Sequence, residues 1–238
     1  MRRAVLYTVR AIGALALMGV GVVVGRALRP ASGRGLPSVQ QYAQAREHVV
    51  NAHLAQARPG FILWTGDSHV ELAEFPGLSC DRDQVNAGIS GARVANTLAF
   101  VRALHFPEKA SVVVLTIGTN DLLRKHGFAN TRSANVLMNE ASQLIVTLKK
   151  IGRTVIVNAP PPVPKVAAWA IDPDQIQSYS NRLKELCAEI GCLFRDPFAE
   201  LRTSHFGIAI DGASKDGLHL NDYRVPYGQL VPQLCSSG

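Results

Sequence analysis

The sequence lacks most of the signatures that would assign a cofactor. No H-E-x-x-H occurs, and the four cysteines, Cys80, Cys187, Cys192 and Cys235, include no C-x-x-C pair, so neither a zinc site nor a dithiol redox site is suggested. G-x-S-x-G is absent, and the glycines of "GVGVVVG" follow no strand, which leaves dinucleotide binding without support. There is no internal repeat or low-complexity tract. No acid occurs in the first 34 residues, which hold six arginines, so the net charge of +7 is mostly terminal. Of the 25 basic residues, the remaining 19 nearly balance the 18 acidic ones, and the body of the chain offers no basic face to a nucleic acid.

The terminal arginines bracket "AIGALALMGVGVVVG", residues 11–25. Positive residues before an apolar run mark a secretory signal or a membrane anchor. A run of about 15 residues lies between a signal core and a full span of about 20. No clean A-x-A cleavage site follows, so the expectation is an uncleaved anchor that carries the rest of the chain across the cytoplasmic membrane; cleavage would give a secreted protein. Gly21 and Gly25 form a G-x-x-x-G pair that could pack two such helices, though a run this rich in small residues produces such pairs by chance. "RPASGRGLPS" reads as a linker. Residues 1–35 are thus assigned to signal or anchor plus linker, and residues 36–238 to one folded domain. Export permits disulfides, and four cysteines allow three pairings; buried free thiols are the alternative.

Within the domain, a helix is expected over about residues 39–57. "FILWTG" reads as a buried strand and "DQVNAGIS" as a second. "ARVANTLAFVRAL" has helical spacing, and "SVVVLTIG" is a continuous β-branched strand. "SANVLMNEASQLIVTLKKIG" is an amphipathic helix with Gly152 as its C-cap. "TVIVNAP" and "CLFRDP" are strands around the helix "DQIQSYSNRLKELCAEIG", closed by Gly191. "DYRVPYGQLVPQL" is a last, proline-broken helix. Strands alternating with helices argue for a parallel sheet covered on both faces, with its ligand site at the carboxyl ends of the strands.

The residues at those ends carry the chemistry. "GDS" with Ser68 follows the first strand, "NAGISGARV" with Gly91 the second, and "GTNDLL" with Asn120 the third; a late loop holds "DGLHLND" with Asp216 and His219. A serine becomes a nucleophile when a base takes its proton, a histidine can be that base, and an acid can hold its tautomer. Asp216 and His219, three residues apart, can point the same way from one tight turn. An oxyanion needs preorganised donors, and the N–H groups of Ser68 and Gly91 with the amide of Asn120 could serve.

Taken in order, "GDS", "GISG", "GTND" and "DGLH" resemble the four blocks of the GDSL, or SGNH, hydrolases, over about residues 60–223. The resemblance implies a flavodoxin-like three-layer α/β/α sandwich with a parallel sheet of about five strands. It implies hydrolysis of esters or thioesters, often acyl or acetyl, with Ser68 as nucleophile, His219 as base, Asp216 as its partner, and Gly91 and Asn120 as oxyanion donors. It implies no metal and no organic cofactor. The partners expected are a small-molecule or glycan ester, and a membrane through the N-terminal segment. The family residue after the serine is usually aliphatic and here is His69; similar GDSH blocks occur in domains linked to envelope polysaccharide O-acetylation, which keeps acyl transfer open. A scaffold that keeps the fold without the chemistry is the rival of another class.

Plainer roles stand beside these. Asp67 is a turn or N-cap acid, and His69 a structural or pocket-wall residue. Asp121 orders the loops, and Asn120 can bond its own turn. His105, His126 and His205 lack acidic companions at matching strand ends and read as surface residues. Asp211 competes with Asp216, and Ser90 and Ser214 compete with Ser68. The loop over residues 159–174 follows a strand end and should wall the site, with Trp169 towards substrate.

Overall fold

Alternation within the strands divides the core in two. The computed structural model describes residues 38–75, 80–126 and 131–236. The expected anchor and most of the linker lie outside them; among the described residues, no helix is long and apolar enough to cross a membrane. Strands β1 (Ile62–Gly66), β2 (Gln84–Gly88), β3 (Ala110–Thr116), β4 (Gly152–Asn158) and β5 (Leu193–Arg195) form one parallel sheet in the order β2-β1-β3-β4-β5. Leu63, Val113, Leu115, Val155 and Val157 face one side; Ile62, Trp64, Val112, Val114 and Ile156 face the other.

The first side is covered by helices α1 (Val39–Gln56), α3 (Val94–Ala103), α4 (Thr131–Ile151) and α5 (Pro173–Ile190). The second is covered by Phe198, Tyr223, Tyr227 and Leu234, the last two from the short helices α6 (Arg224–Gly228) and α7 (Val231–Ser236). The fold is thus the expected α/β sandwich, in the flavodoxin-like strand order. Its switch point lies where β1 has β2 on one side and β3 on the other, so loops leaving β1 and β3 diverge there. A four-residue helix, α2 (Ser68–Glu71), starts directly from the β1 end.

Local signals set the helix ends. Ser38 and Gln41 form a reciprocal capping box on α1. Asp172 caps α5, Pro173 opens it, and Gly191 closes it in the left-handed conformation. Gly152 is a correction. It does not cap α4 but begins β4, and the helix runs into the strand without a loop. A Cβ at Gly152 would lie 2.6 Å from Val113 Cγ2, so close packing on β3, not a left-handed turn, requires glycine there. The expected last helix is two, α6 and α7, with Pro232 in the first turn of α7, where its missing N–H costs no helical bond.

All four cysteines pair. Cys80–Cys235 ties the segment before β2 to α7, and Cys187–Cys192 brackets the turn between α5 and β5. Chain entropy ascribes about 5 kcal/mol to the first, whose ends are 155 residues apart, and about 2 kcal/mol to the second, whose ends are 5 apart.

Candidate active site

The strand β1 ends on Gly-Asp-Ser because each type meets a separate demand. A Cβ at Gly66 would lie 1.8 Å from the Thr116 carbonyl oxygen of β3, so no side chain fits. Asp67 donates its N–H to that same carbonyl (3.2 Å), and its carboxylate accepts the N–H of His69 (2.9 Å), which caps α2. Ser68 is then the first residue of α2, 5 % exposed. Burial pushes the Asp67 carboxyl up to about 7, against the hydrogen bond from His69.

The loops after β2 and β3 close around this turn. Ile89 donates to the Gly66 carbonyl (3.0 Å), and Gly91 is left-handed at φ 78°. Asn120 donates its side-chain amide to the Ala92 carbonyl (3.0 Å), tying the third loop to the second. Only one of its two amide hydrogens is used in that bond. Asp121 is buried and accepts the Val94 N–H (3.1 Å) at the start of α3; burial pushes its carboxyl up to about 7. Neither the Gly91 nor the Ser68 N–H has an acceptor among the described residues, while the N–H groups of Asp67, His69, Ile89 and Ala92 all do.

The fourth block comes from an exposed loop. One Asp216 oxygen accepts the N–H groups of Leu218 (3.0 Å) and His219 (2.7 Å). The other lies 2.7 Å from His219 Nδ1, and His219 Nε2 lies 2.8 Å from Ser68 Oγ. Desolvation pulls the Asp216 carboxyl upward, and the hydrogen bonds from the His219 ring and backbone outweigh it, holding it at about 2. An ionised carboxylate can only accept, so Nδ1 carries the proton and Nε2 is left to accept from the Ser68 hydroxyl. Five expected residues therefore meet at the strand ends: Ser68, Asp216 and His219 in one hydrogen-bonded chain, and Gly91 and Asn120 in the adjoining loops.

The competitors stand elsewhere. His219 Nδ1 pairs with Asp216 rather than the exposed Asp211, and Ser214 Oγ accepts the Gly217 N–H (3.0 Å) in the loop's own turn. His105, His126 and His205 are exposed. His205 lies 3.2 Å from Asp174 at the start of α5, and neither residue belongs to the four blocks. The loop 159–174 borders the third one: Arg124 donates its N–H to the Ala170 carbonyl (2.9 Å), and Trp169 is 80 % exposed. Among the described residues, no group of His, Cys, Asp and Glu is arranged to hold a metal ion.

A layer below the Ser68–His219–Asp216 chain was not legible in the sequence. His69 is buried, its Nδ1 lies 3.0 Å from Tyr223 Oη, and its ring centroid is 5.5 Å from that of His219. Burial drives the His69 imidazole down to about 3, so it is neutral. Tyr223 Oη accepts the N–H of Leu220, the residue after His219 (3.3 Å). Tyr227 donates to the His69 carbonyl (3.1 Å). The signal was His69 itself, unusual in its block, but nothing in the pattern paired it with a tyrosine 154 residues away.

Residues 61–223 match the model of the GDSL-like lipase/acylhydrolase family. No curated protein matches the chain. Solved structures do, at identities that speak for the fold. A GDSL-like lipase from Bacteroides thetaiotaomicron is 18% identical with a TM-score of 0.65, covering 82% of this chain and 99% of its own. An acetylxylan esterase from Geobacillus stearothermophilus, solved as a catalytic mutant, is 17% identical with a TM-score of 0.59, covering 76% and 95%. A carbohydrate acetylesterase from Sinorhizobium meliloti is 16% identical with a TM-score of 0.55, covering 74% and 98%.

Proposed function

Since the chain belongs to the GDSL-like lipase/acylhydrolase family, we propose that it is a serine esterase working through an acyl-enzyme on Ser68. The observation that carries this reading is the unbroken chain from Ser68 Oγ through His219 to Asp216, with links of 2.8 and 2.7 Å. Ser68 attacks the acyl carbonyl as His219 Nε2 takes its proton, and Asp216 stabilises the imidazolium. The oxyanion is met by the N–H groups of Ser68 and Gly91 and by the second amide hydrogen of Asn120. His219 returns the proton to the leaving alcohol, and water repeats the cycle on the acyl-enzyme. If a sugar hydroxyl takes the place of water, the same steps transfer the acyl group.

The substrate proposed is a short acyl ester, acetyl foremost, on a carbohydrate or small alcohol. Two structural neighbours carry names of that kind, an acetylxylan esterase and a carbohydrate acetylesterase. The side chains of His219 and Asp216 are 21 % and 48 % exposed, so a bulky alcohol can reach the base. We place the protein outside the cytoplasm, held by its N-terminal segment; the arginine-flanked apolar run and the pairing of all four cysteines support that location.

A fluorophosphonate probe on membranes from expressing cells tests both parts. Labelling of the wild-type chain that disappears in Ser68→Ala supports the esterase; equal labelling of the two, or none, points to the non-catalytic scaffold. Recovery of the full-length chain as soluble cytoplasmic protein removes the anchored location.

A further inference from the structure

The helix α1 (Val39–Gln56) precedes the span matched by the family, which begins at residue 61, yet it is wired to the loop that carries Gly91. In residues 89–92, three N–H groups are tethered: Ile89 to the Gly66 carbonyl, Ser90 to the Glu71 carboxylate, and Ala92 to the Ile89 carbonyl. Gly91 alone of the four has an N–H with no acceptor among the described residues. The Ser90 tether is the one made by a side chain, and α1 holds that side chain. Tyr42 donates its hydroxyl to Glu71, and Arg46 Nε stands 3.6 Å from the same carboxylate oxygen. Arg46 also donates to the carbonyls of Asn86 (3.1 Å) and Gly88 (3.2 Å), gripping the end of β2 from which the loop departs. Val39 abuts Gly91 itself: a Cβ on that glycine would lie 3.2 Å from Val39 Cγ2.

The charges need this arrangement. A bare carboxylate one residue from an oxyanion donor would oppose the negative charge that develops there. The Glu71 side chain is 12 % exposed, so water screens it little, and the Arg46 guanidinium and Tyr42 hydroxyl supply the compensation. We propose that α1 is a positioning element of the oxyanion hole: Tyr42 and Arg46 hold Glu71, Glu71 holds the Ser90 N–H, and the Gly91 N–H is thereby aimed at the carbonyl oxygen. The inference rests on the esterase reading above, in which Gly91 is an oxyanion donor.

The test uses the full-length chain with p-nitrophenyl acetate and an alkyl boronic acid, which forms a tetrahedral adduct on a reactive serine. For Tyr42→Phe, Glu71→Gln and Glu71→Ala, the readouts are kcat, KM, boronate Ki and Tm. Tyr42→Phe should lower kcat about tenfold and Glu71→Ala about a hundredfold with little change in KM, the scale of a misplaced catalytic group. Glu71→Gln, which keeps an acceptor for Ser90, should fall between wild type and Glu71→Ala. The boronate Ki should weaken in step with kcat/KM, because both report the tetrahedral geometry. Wild-type kcat and Ki in folded Tyr42→Phe and Glu71→Gln would overturn the inference, as would a lowered Tm with unchanged kcat. Ser68→Ala separates the two levels: if it retains turnover, the esterase reading falls and this inference with it; if turnover requires Ser68 and the α1 variants match wild type, this inference falls alone.

Discussion

Ser68 and His219 reach one hydrogen bond from unlike surroundings. Ser68 stands at the end of a fully buried strand, 5 % exposed, in a turn pinned by Gly66 against β3 and by the Asp67 cap. His219 belongs to an exposed loop whose order is mostly its own: Asp216 accepts two of the loop's N–H groups, Ser214 Oγ accepts a third, and the Lys215 N–H donates to the His219 carbonyl (2.9 Å). The strand end supplies rigidity, which a nucleophile and its oxyanion donors need. The loop leaves the His219 side chain 21 % exposed, which in the proposed esterase gives the alcohol access to the base. Beneath the loop, Tyr223 and His69 connect it to the strand side, so the two halves share one support.

The sharpest test of that division is to remove each half. Ser68→Ala and His219→Ala should each lower kcat/KM by about four to six decades, since members of such a chain act as a unit. Asp216→Asn should cost about one to two decades less, because the loop's backbone still orients the ring. A steady-state assay of the three decides; an Asp216→Asn loss equal to the others would mean that the loop has no order of its own. Next, Asn120→Ala should lower kcat by about two to three decades with KM little changed, if its free amide hydrogen meets the oxyanion. If Asn120 serves only to bind Ala92, the outcome is a stability loss of about 1 kcal/mol with kcat intact in the folded fraction, and kcat and Tm on one sample distinguish the two.

Smaller effects probe the shared support. Tyr223→Phe strips the Leu220 N–H and His69 Nδ1 of a buried partner, and should cost about 1–3 kcal/mol of stability in a urea melt while kcat falls by about tenfold or less. A kcat loss as large as that of His219→Ala would place Tyr223 in the chemistry itself.

The pH dependence of stability tests the strand side. Burial pushes Asp67 and Asp121 up to about 7 from 3.8, so the folded protein keeps protons that the unfolded chain releases near pH 4. Their contribution to stability therefore declines as pH rises from about 4 to about 7 and is level above that. His69, lowered to about 3 from 6.5, works the other way between those values, one imidazole against two carboxyls. Tm should drop modestly between pH 5 and 7.5, and Asp67→Asn should flatten the drop. A Tm that climbs through this range would contradict the buried, protonated state of both acids.

Much of the fold was legible because its determinants are local. The runs "FILWTG" and "SVVVLTIG" are strands by composition, and their ends at Gly66 and Thr116 set where functional residues can stand. Gly191 closes α5 as its position suggested, whereas Gly152 misled, because a glycine after an amphipathic helix looks the same whether it caps the helix or packs a strand on its neighbour. In the site, four short blocks named Ser68, Gly91, Asn120, Asp216 and His219, and all five stand at the strand ends. The supports below them were invisible: neither Tyr223 nor Tyr42 lies in a motif.

The strand ends, the residue types placed there and the spacing that turns Asp216 towards His219 are written in short stretches of chain, since each depends on a few consecutive residues and the two periodicities of the backbone. Contacts between distant segments arise only in the packed fold. Ser68 and His219 come within 2.8 Å across 151 residues, and Cys80 finds Cys235 across 155. Tyr42 meets Glu71, His69 meets Tyr223, and Asp67 and Asp121 become buried acids, only once the sheet has brought its loops to one edge. The physical reason is that burial and side-chain pairing are properties of the packed core, which no short window of sequence contains.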